Sequence, residues 1–291
     1  PFTLATSPQD AGNHVNNRDF TISAFATNSP LSDQLTESSP HLHPDKASSD
    51  SIIKSTVPPT QSQTVGFAEL LEMVASIDPR LRVRYSTSHP KDLSDDVLEV
   101  MAKHENICRH IHLPVQSGST SVLERMNRKY TREWYLGRID AINRILPGCA
   151  ISTDVIAGFC GETEEEHQDT LSLMREVGFD FAYMFKYSER PGTKASRHMK
   201  DDVPEEVKTG RLNEIITLQN QLSTVSKKAD VGRTFEVLVE GPAKKPAGSM
   251  MGRTSGNKVV VFQASDVLPG DYVQVKITRA TSATLIGNLV P

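Results

Sequence analysis

The segments HIHLPVQSGSTSVLERMNRKYT (residues 110–131) and STDVIAGFCGETEEEH (residues 152–167) decide the fold class of this chain. Each segment runs from a strand pattern into a polar, glycine-containing turn and then into a helix pattern. The unit recurs roughly every 30 to 40 residues, which is the length of a βα crossover. We therefore predict a parallel α/β architecture in which the turns after the strands bind small anionic or nucleotide-like ligands.

The predicted elements alternate between strand and helix. Strands are expected at 81–88, 110–116, 150–159 and 179–187, and helices at 67–77, 94–104, 131–146 and 163–177. The acids after residue 161 are interpreted as a capping box, with Thr163 and Glu166 as its two members, rather than as catalytic groups. A closed eight-stranded barrel takes about 250 residues, so four strands predict a partial β/α barrel whose first strand would be a bare edge.

A different pattern follows residue 200. A long amphipathic helix is expected at 204–227, with an inward stripe made of Val207, Arg211, Ile215, Leu218, Leu222 and Val225. Short alternating strands are then expected at 235–239, 259–262, 272–277 and 283–289. The sequence predicts four regions: a low-complexity segment (1–64), the partial barrel (65–200), a connecting helix (201–230) and a small OB-like antiparallel β-barrel (231–291).

Composition narrows the functional classes. The chain is 37% hydrophobic and 23% charged, with a net charge of −4 and only three cysteines. This composition predicts a globular cytoplasmic protein without a membrane role or a disulfide framework. Residues 1–64 contain 11 Ser, 8 Thr and 7 Pro, and we expect most of them to be disordered. Because the chain begins with Pro1, we expect a fragment or a processed product.

Several residues after the predicted strands are candidate ligand-binding groups. The turn 116–119 offers amide, hydroxyl and backbone N–H groups, although ordinary turn chemistry is the alternative. Residues 127–130 are either a carboxylate or phosphate clamp or a solvated basic patch. Gly158 would let a flat ligand approach a strand end. The aromatic strand and loop 183–193 either stack on a base or belong to the core.

Two further patterns bear on metal and RNA binding. Cys108, His110 and His112 share one face of a strand, so a zinc site is conceivable, but hydrogen-bonded histidines inside a barrel are favoured and no metal ligand is assigned. Residues 228–291 carry eight Lys or Arg against five acids. Small basic β-barrels bind RNA through phosphate contacts, so this region is a candidate RNA-binding module, with a merely solvated surface as the alternative.

The same residues carry a family resemblance. The segments STSHPKDLSDDVL, IHLPVQSGS, MNRKYTREWY, DVIAGFCGETEEEH and FKYSERPGT resemble the radical-SAM core of tRNA methylthiotransferases of the MiaB type. GRTFEVLVEG, GRTSGNKVVVF and PGDYVQVKITRATSATL resemble the TRAM RNA-binding barrel of that family. The resemblance covers residues 65–291 and implies a radical-SAM methylthiotransferase that modifies tRNA, with no stable protein partner.

The resemblance also implies cofactors and site residues. Members of this family transfer a methylthio group to C2 of an isopentenylated adenosine next to the anticodon, using S-adenosylmethionine and two 4Fe-4S clusters. By this resemblance the cofactor would be bound by Gln116, Ser117, Arg128, Ile156, Ala157 and Gly158. The substrate or RNA would be bound by Phe185, Arg190, Arg233, Arg253, Lys258 and Arg279. No catalytic residue is assigned.

The sequence departs from the family in one respect. The C-x3-C-x2-C motif that holds the radical cluster is absent, and Cys108, Cys149 and Cys160 are scattered. Without thiolate ligands no cluster is bound, so the chain alone is expected to be inactive. The alternative is a non-catalytic tRNA- or RNA-binding protein. A cluster-free β/α lyase needs a base at a strand end, and none is convincing.

Overall fold

Near residue 230 the hydrophobic pattern changes from alternating helices and strands to strands alone. The structure divides into two domains at the same point. The computed structural model describes residues 19–23, 65–86 and 89–290. The first division is a parallel sheet with helices, and the second is a closed five-stranded barrel. Both predicted fold classes are confirmed.

Five parallel strands form a two-stranded and a three-stranded sheet that lie side by side. They are β1 (Asp19–Ser23), β2 (Arg82–Ser86), β3 (His110–His112), β4 (Ala150–Ala157) and β5 (Phe181–Lys186). β1 pairs with β2, and β3 pairs with β4, which pairs with β5. A single bridge between Val83 and Ile107 joins the two groups of strands. The edge of β2 that was expected to be bare is therefore paired with β1.

Seven helices accompany the described strands. They are α1 (Phe67–Ala75), α2 (Asp95–Lys103), α3 (Thr120–Arg125), α4 (Arg132–Ile145), α5 (Glu164–Val177), α6 (Lys194–His198) and α7 (Glu205–Lys228). The predicted capping box at Thr163 and Glu166 is present and begins α5. Gly178 ends this helix in the left-handed conformation, with φ 69°.

The two faces of the sheet differ because side chains alternate along each strand. On the helix side, Ile111, Val155 and Ala182 are buried in a core that includes Tyr135 and Phe179. The other face, here called the inner face, carries polar groups on β3 and β4 and aromatic side chains on β5. Its members are His110, His112, Ser152, Asp154, Ile156, Phe181, Tyr183 and Phe185.

Helix α7 packs against β4, β5 and α5, but not through the predicted stripe alone. Ile215 and Leu218 are buried as expected, whereas the side chain of Val225 is 68% exposed and Val207 is also exposed. Arg211 of the predicted stripe is also buried, and the buried face further includes the polar residues Lys208, Gln219, Ser223 and Lys227, which were not predicted. Long basic side chains bury their stems along apolar surface, so hydropathy alone misplaced the inward face.

The barrel contains β6 (Thr234–Pro242), β7 (Ser249–Thr254), β8 (Val259–Gln263), β9 (Tyr272–Ala280) and β10 (Leu285–Leu289). Its order is β10-β8-β7-β6-β9, closed by a β9–β10 pair. β7 was not predicted, because SMMGRT lacks alternating β-branched residues. The β8–β10 pair is parallel, although an all-antiparallel barrel was expected.

Within residues 1–64 the structure describes only β1. The prediction of disorder for residues 1–18 and 24–64 therefore falls outside the described residues. Among the described helices, none is long and apolar enough to cross a membrane.

Candidate functional site

The carboxyl ends of β3 and β4 are joined at Gln116. Its backbone N–H donates to the Asp154 carbonyl at 2.8 Å, and its carbonyl accepts from the Ile156 N–H at 2.9 Å. Gln116 is buried and takes φ 70°, a conformation that L-residues with a Cβ rarely adopt. The predicted ligand-binding turn therefore begins at a fixed and unusual backbone geometry.

The rest of this turn is packed onto α5. Ser117 is fully buried, and its Oγ lies 3.2 Å from Thr170 Oγ1, which also accepts from the Gly118 N–H at 2.9 Å. A Cβ on Gly118 would lie 2.6 Å from the Asp169 carbonyl oxygen. The Ser117 hydroxyl and Gly118 therefore pack the turn against α5. This is the structural role of the alternative interpretation, in which the turn binds no ligand through these groups.

The end of β4 has a similar internal arrangement. Gly158 takes φ 74°, and its N–H donates to Glu162 Oε2 at 2.6 Å. A Cβ on Gly158 would lie 2.4 Å from Cγ of Lys208, so the Lys208 stem occupies the side that a flat ligand was expected to approach. Burial raises the pKa of Glu162, while Arg211, 3.1 Å from the same oxygen, opposes that rise.

The remaining predicted cofactor residues lie around these turns. Ala157 is buried, and Ile156 is half-buried on the inner face beside Phe185. Arg128 is half-buried near His89, and the pKa of His89 is lowered by burial and then by the Arg128 charge. Ile156 and Phe185 offer an apolar surface, and Arg128 offers a cation, at the same edge of the sheet.

The loop after β5 carries the predicted substrate residue Arg190. Its side chain is exposed, and its carbonyl accepts from the Thr193 hydroxyl at 2.9 Å. Lys186 at the end of β5 forms an ion pair with Glu205. This loop and Phe185 therefore form the exposed rim of the carboxyl edge.

The residues at this edge fit one implied cofactor and not the other. An exposed aromatic surface and a half-buried guanidinium fit the adenine and carboxylate of S-adenosylmethionine. A 4Fe-4S cluster does not fit, because Cys108 precedes β3, Cys149 and Cys160 lie before and after β4, and all three are buried. Among the described residues, no group of three His, Cys, Asp or Glu side chains could hold a metal ion.

The histidines of β3 form a hydrogen-bonded cluster. His110 Nε2 and His112 Nδ1 each lie 2.9 Å from Ser152 Oγ, and His112 Nε2 lies 3.4 Å from Asp154 Oδ1. Burial lowers the pKa of His110 to about 4, so this imidazole is neutral at pH 7. This geometry corresponds to the predicted alternative to a zinc site, in which the histidines are hydrogen-bonded within the protein.

The four predicted RNA-binding residues of the barrel divide into two classes. Arg233 and Arg279 are exposed, and Arg233 pairs with Asp230 at 3.1 Å. Arg253 Nε lies 3.0 Å from Glu240, and Lys258 pairs with two carboxylates of the chain. Only the first class leaves its charge on the surface.

Lys258 joins the barrel to the sheet. Its Nζ lies 2.7 Å from Asp230 Oδ2, 3.2 Å from Asp180 Oδ1 and 2.9 Å from Ser226 Oγ. Asp180 precedes β5 and Ser226 lies in the last turn of α7, so three elements meet at one ammonium group. Sequence reasoning missed this role, because the partners are distant in the chain and nothing local signals them.

Comparisons with known proteins agree with this division. Residues 58–174 match the Radical SAM superfamily, and residues 228–290 match the TRAM domain. The chain is 59% identical over 230 residues to the tRNA-2-methylthio-N(6)-dimethylallyladenosine synthase of Phocaeicola vulgatus, covering 79% of this chain and 50% of that protein. It is 54% identical over 226 residues to the synthase of the same name from Porphyromonas gingivalis, covering 78% and 49%.

The chain spans about half the length of the curated relatives that it matches. Among solved structures, coproporphyrinogen III oxidase from Escherichia coli, a radical SAM enzyme, matches with a TM-score of 0.44 and 17% identity. That match covers 71% of this chain and 50% of the oxidase.

Proposed function

We propose that this chain, which contains a Radical SAM segment followed by a TRAM domain, is part of a tRNA-2-methylthio-N(6)-dimethylallyladenosine synthase. In this proposal it acts in the cytoplasm on tRNA and contributes to the transfer of a methylthio group to C2 of a modified adenosine beside the anticodon. S-adenosylmethionine is its cofactor. The 4Fe-4S clusters of the reaction have no ligands in this chain.

One observation carries the proposal. The identity of 59% extends over 230 residues, which is long enough to include both the cofactor turns and the barrel. Each of the two folds occurs in many unrelated proteins. A match of both folds, in order, to one kind of enzyme is therefore more specific evidence of function than a match of either fold alone.

The residues of the carboxyl edge have distinct parts in this proposal. Ile156 and Phe185 contact the adenine of the cofactor, and Arg128 binds its carboxylate. Gln116 fixes the turn between them through its two backbone hydrogen bonds to β4. The chemistry that the cofactor supplies when bound is the generation of a radical.

The barrel supplies contacts to tRNA. Arg233 directly precedes β6 and Arg279 lies on β9; both side chains are exposed to phosphate, although Arg233 also pairs with Asp230. Lys258 and Arg253 position the barrel and its loop instead, since their charges are held by carboxylates. Phosphate contacts release counterions, so the binding of tRNA is expected to weaken steeply as salt rises.

The test is a filter-binding titration of the full chain with an anticodon-arm RNA between about 50 and 200 mM salt. The double variant R233Q/R279Q is expected to bind more weakly, with a salt slope reduced by about one for each phosphate that is no longer neutralised. R175Q, which removes an exposed arginine from α5, is the matched control. Absent or salt-insensitive binding by the unaltered chain would contradict the proposal.

A second candidate is a non-catalytic RNA-binding protein, favoured by the absence of a clustered cysteine motif. The codons upstream of Pro1 discriminate between the two. A C-x3-C-x2-C motif in the same reading frame supports the synthase and eliminates the non-catalytic protein.

A further inference from the structure

Helix α7 connects the two matched domains and also reaches the carboxyl edge of the sheet. The Radical SAM match ends at residue 174 and the TRAM match begins at residue 228, so residues 205–227 of this helix belong to neither. Two buried side chains of α7, Lys208 and Arg211, contact residues 158–162, which follow β4 and are here called the β4 turn. They lie about one helical turn apart on the same face of α7.

The backbone of the β4 turn is held by side chains. The Gly158 N–H donates to Glu162 Oε2 at 2.6 Å, and the Gly161 N–H donates to Asp202 Oδ1 at 2.7 Å. Hydrogen bonds to carboxylates are stronger than those to neutral acceptors, so each bond restricts the backbone that donates it. Gly158 takes φ 74°, and its bond to Glu162 therefore fixes the direction in which β4 ends.

Arg211 holds the Glu162 carboxylate in place. Arg211 Nη1 donates to Glu162 Oε2 at 3.1 Å and to the Glu162 carbonyl at 2.9 Å. The side chains of Arg211 and Glu162 are only 8% and 1% exposed. Burial raises the pKa of Glu162, whereas the Gly158 N–H and the Arg211 charge lower it. Because a buried carboxylate is costly without a counter-charge, Arg211 allows Glu162 to serve as the acceptor for Gly158.

Lys208 confines the same turn by packing. A Cβ on Gly158 would lie 2.4 Å from Lys208 Cγ, so the lysine stem lies directly against the glycine. The Lys208 ammonium group is held at its far end by Asp201, with Nζ 2.6 Å from Oδ2. The stem is therefore fixed across Gly158. Helix α7 thus restrains the β4 turn twice, through an ion pair with Glu162 and through a contact with Gly158.

We propose that α7 is part of the S-adenosylmethionine site and that Arg211 is a positioning residue for the cofactor. Arg211 orients Glu162, and Glu162 holds the Gly158 N–H, so that Ile156 on the inner face is directed at the adenine. The inference rests on the proposed function, in which Ile156 and Phe185 contact that adenine. Binding groups must be held to within about 0.5 Å by the residues behind them, and α7 provides this support at the end of β4.

The first test compares E162Q with E162A. Both variants remove the charge that pairs with Arg211, but glutamine keeps a carbonyl oxygen that can accept from the Gly158 N–H, and alanine does not. Equilibrium dialysis of the full chain against labelled S-adenosylmethionine measures the affinity. E162A is expected to weaken binding about tenfold, and E162Q should stay within about threefold of the unaltered chain.

The second test addresses α7 itself through R211Q. This variant leaves the Glu162 carboxylate buried without its counter-charge, and it should weaken cofactor binding by about fivefold or more. E164Q is the matched control, because Glu164 Oε2 lies 3.5 Å from the same guanidinium group but its side chain is 62% exposed and lies outside the β4 turn. Its affinity should stay within about twofold of that of the unaltered chain.

Amide hydrogen exchange without any ligand shows whether the Gly158 N–H itself is released. Exchange at Gly158 should be about tenfold faster or more in E162A, and it should remain slow in E162Q. Thermal melting shows whether each variant is folded. If the single variants unfold, R211M/E162Q and R211M/E162M repeat the comparison without an unpaired buried charge, since apolar replacement of a buried ion pair is often tolerated.

The outcomes separate this inference from the proposed function. If E162A and R211Q are folded and bind S-adenosylmethionine as the unaltered chain does, the inference is wrong and the function stands. Equal losses in folded E162A and E162Q also overturn it, because the ion pair and not the Gly158 bond then matters. If the unaltered chain binds the anticodon-arm RNA but no S-adenosylmethionine, the inference and the cofactor part of the proposed function fail together.

Discussion

The two edges of the parallel sheet use their polar groups in opposite ways. At the carboxyl edge, Ser117 and Gly118 bond to Thr170, and Gly158 bonds to Glu162. At the amino edge, Arg84 and Arg253 meet at a neutral oxygen, and Lys227 is buried beside them. The first edge is satisfied within the sheet domain, whereas the second is satisfied in part by contacts between the sheet and the barrel.

The difference separates an edge that one domain completes from an edge that two domains complete together. Buried polar groups usually find partners within the protein, so a polar turn is weak evidence of a ligand. At the amino edge Arg253 also pairs with Glu240, and Lys258 pairs with Asp180 and Asp230, so these two cations have counter-charges within the chain. Three substitutions sharpen this contrast, each on one of the edges.

The largest effect is expected at the amino edge for K258M. This substitution removes the ammonium group that pairs with the buried Asp230. It should lower the free energy of unfolding by about 3 kcal/mol. The barrel should also loosen from the sheet. Urea denaturation measures the first effect, and amide hydrogen exchange in 253–259 measures the second.

The matched control is R233M, which removes an exposed partner of the same carboxylate. R233M should lower the free energy of unfolding by less than about 1 kcal/mol, as is typical when a surface ion pair is removed. Equal costs for the two variants would show that Lys258 does not join the two domains.

At the carboxyl edge, G118A is expected to lower the free energy of unfolding by about 2 kcal/mol. The new Cβ would press on the backbone of residues 169 and 170, which belongs to α5 and cannot rotate away. Thermal melting in the absence of any ligand measures the cost. G137A, in α4 where a Cβ meets nothing within 4 Å, is the control and should stabilise the chain slightly. A normal melting temperature for G118A would reopen a ligand-binding role for this glycine.

The smallest effect concerns His110 and depends on pH. The pKa of His110 falls from 6.5 to about 4 on folding, chiefly through burial, so the unfolded chain binds the proton that the folded chain releases. Its contribution to stability is complete above about pH 6.5 and is lost as the pH falls toward 4. H110N should flatten the fall in melting temperature over this window. An unchanged pH profile would contradict the shift.

Much of the fold could be predicted from the sequence. The helices at α4 and α5 and the strands at β4 and β5 follow from periodicity, and the capping box fixed the start of α5 within one residue. α3 and β7 were missed because short elements with Gly, Ser or Met carry little periodic signal. β1 was missed because it is five residues long within a Ser/Thr/Pro-rich stretch.

The sites were less predictable. The turn 116–119 was located correctly, but only the structure shows that Ser117 bonds to a residue 53 positions away. The contact between Arg84 and Asn257 depends on how the two domains pack, which no local pattern in the sequence signals. In the sequence Lys227 cannot be distinguished from its neighbour Lys228 at the end of α7. Only the structure shows that Lys227 is buried and Lys228 is exposed.

Strand β10 pairs with both β8 and β9 and thereby closes the barrel. Of the five barrel strands it is the last to leave the ribosome, whereas the sheet precedes it in the chain. The barrel segment 253–259, which contacts β2 through Asn257, is therefore held in a closed barrel only after β10 has been synthesised. Nascent chains that end before β10 should contain a folded sheet beside an open barrel.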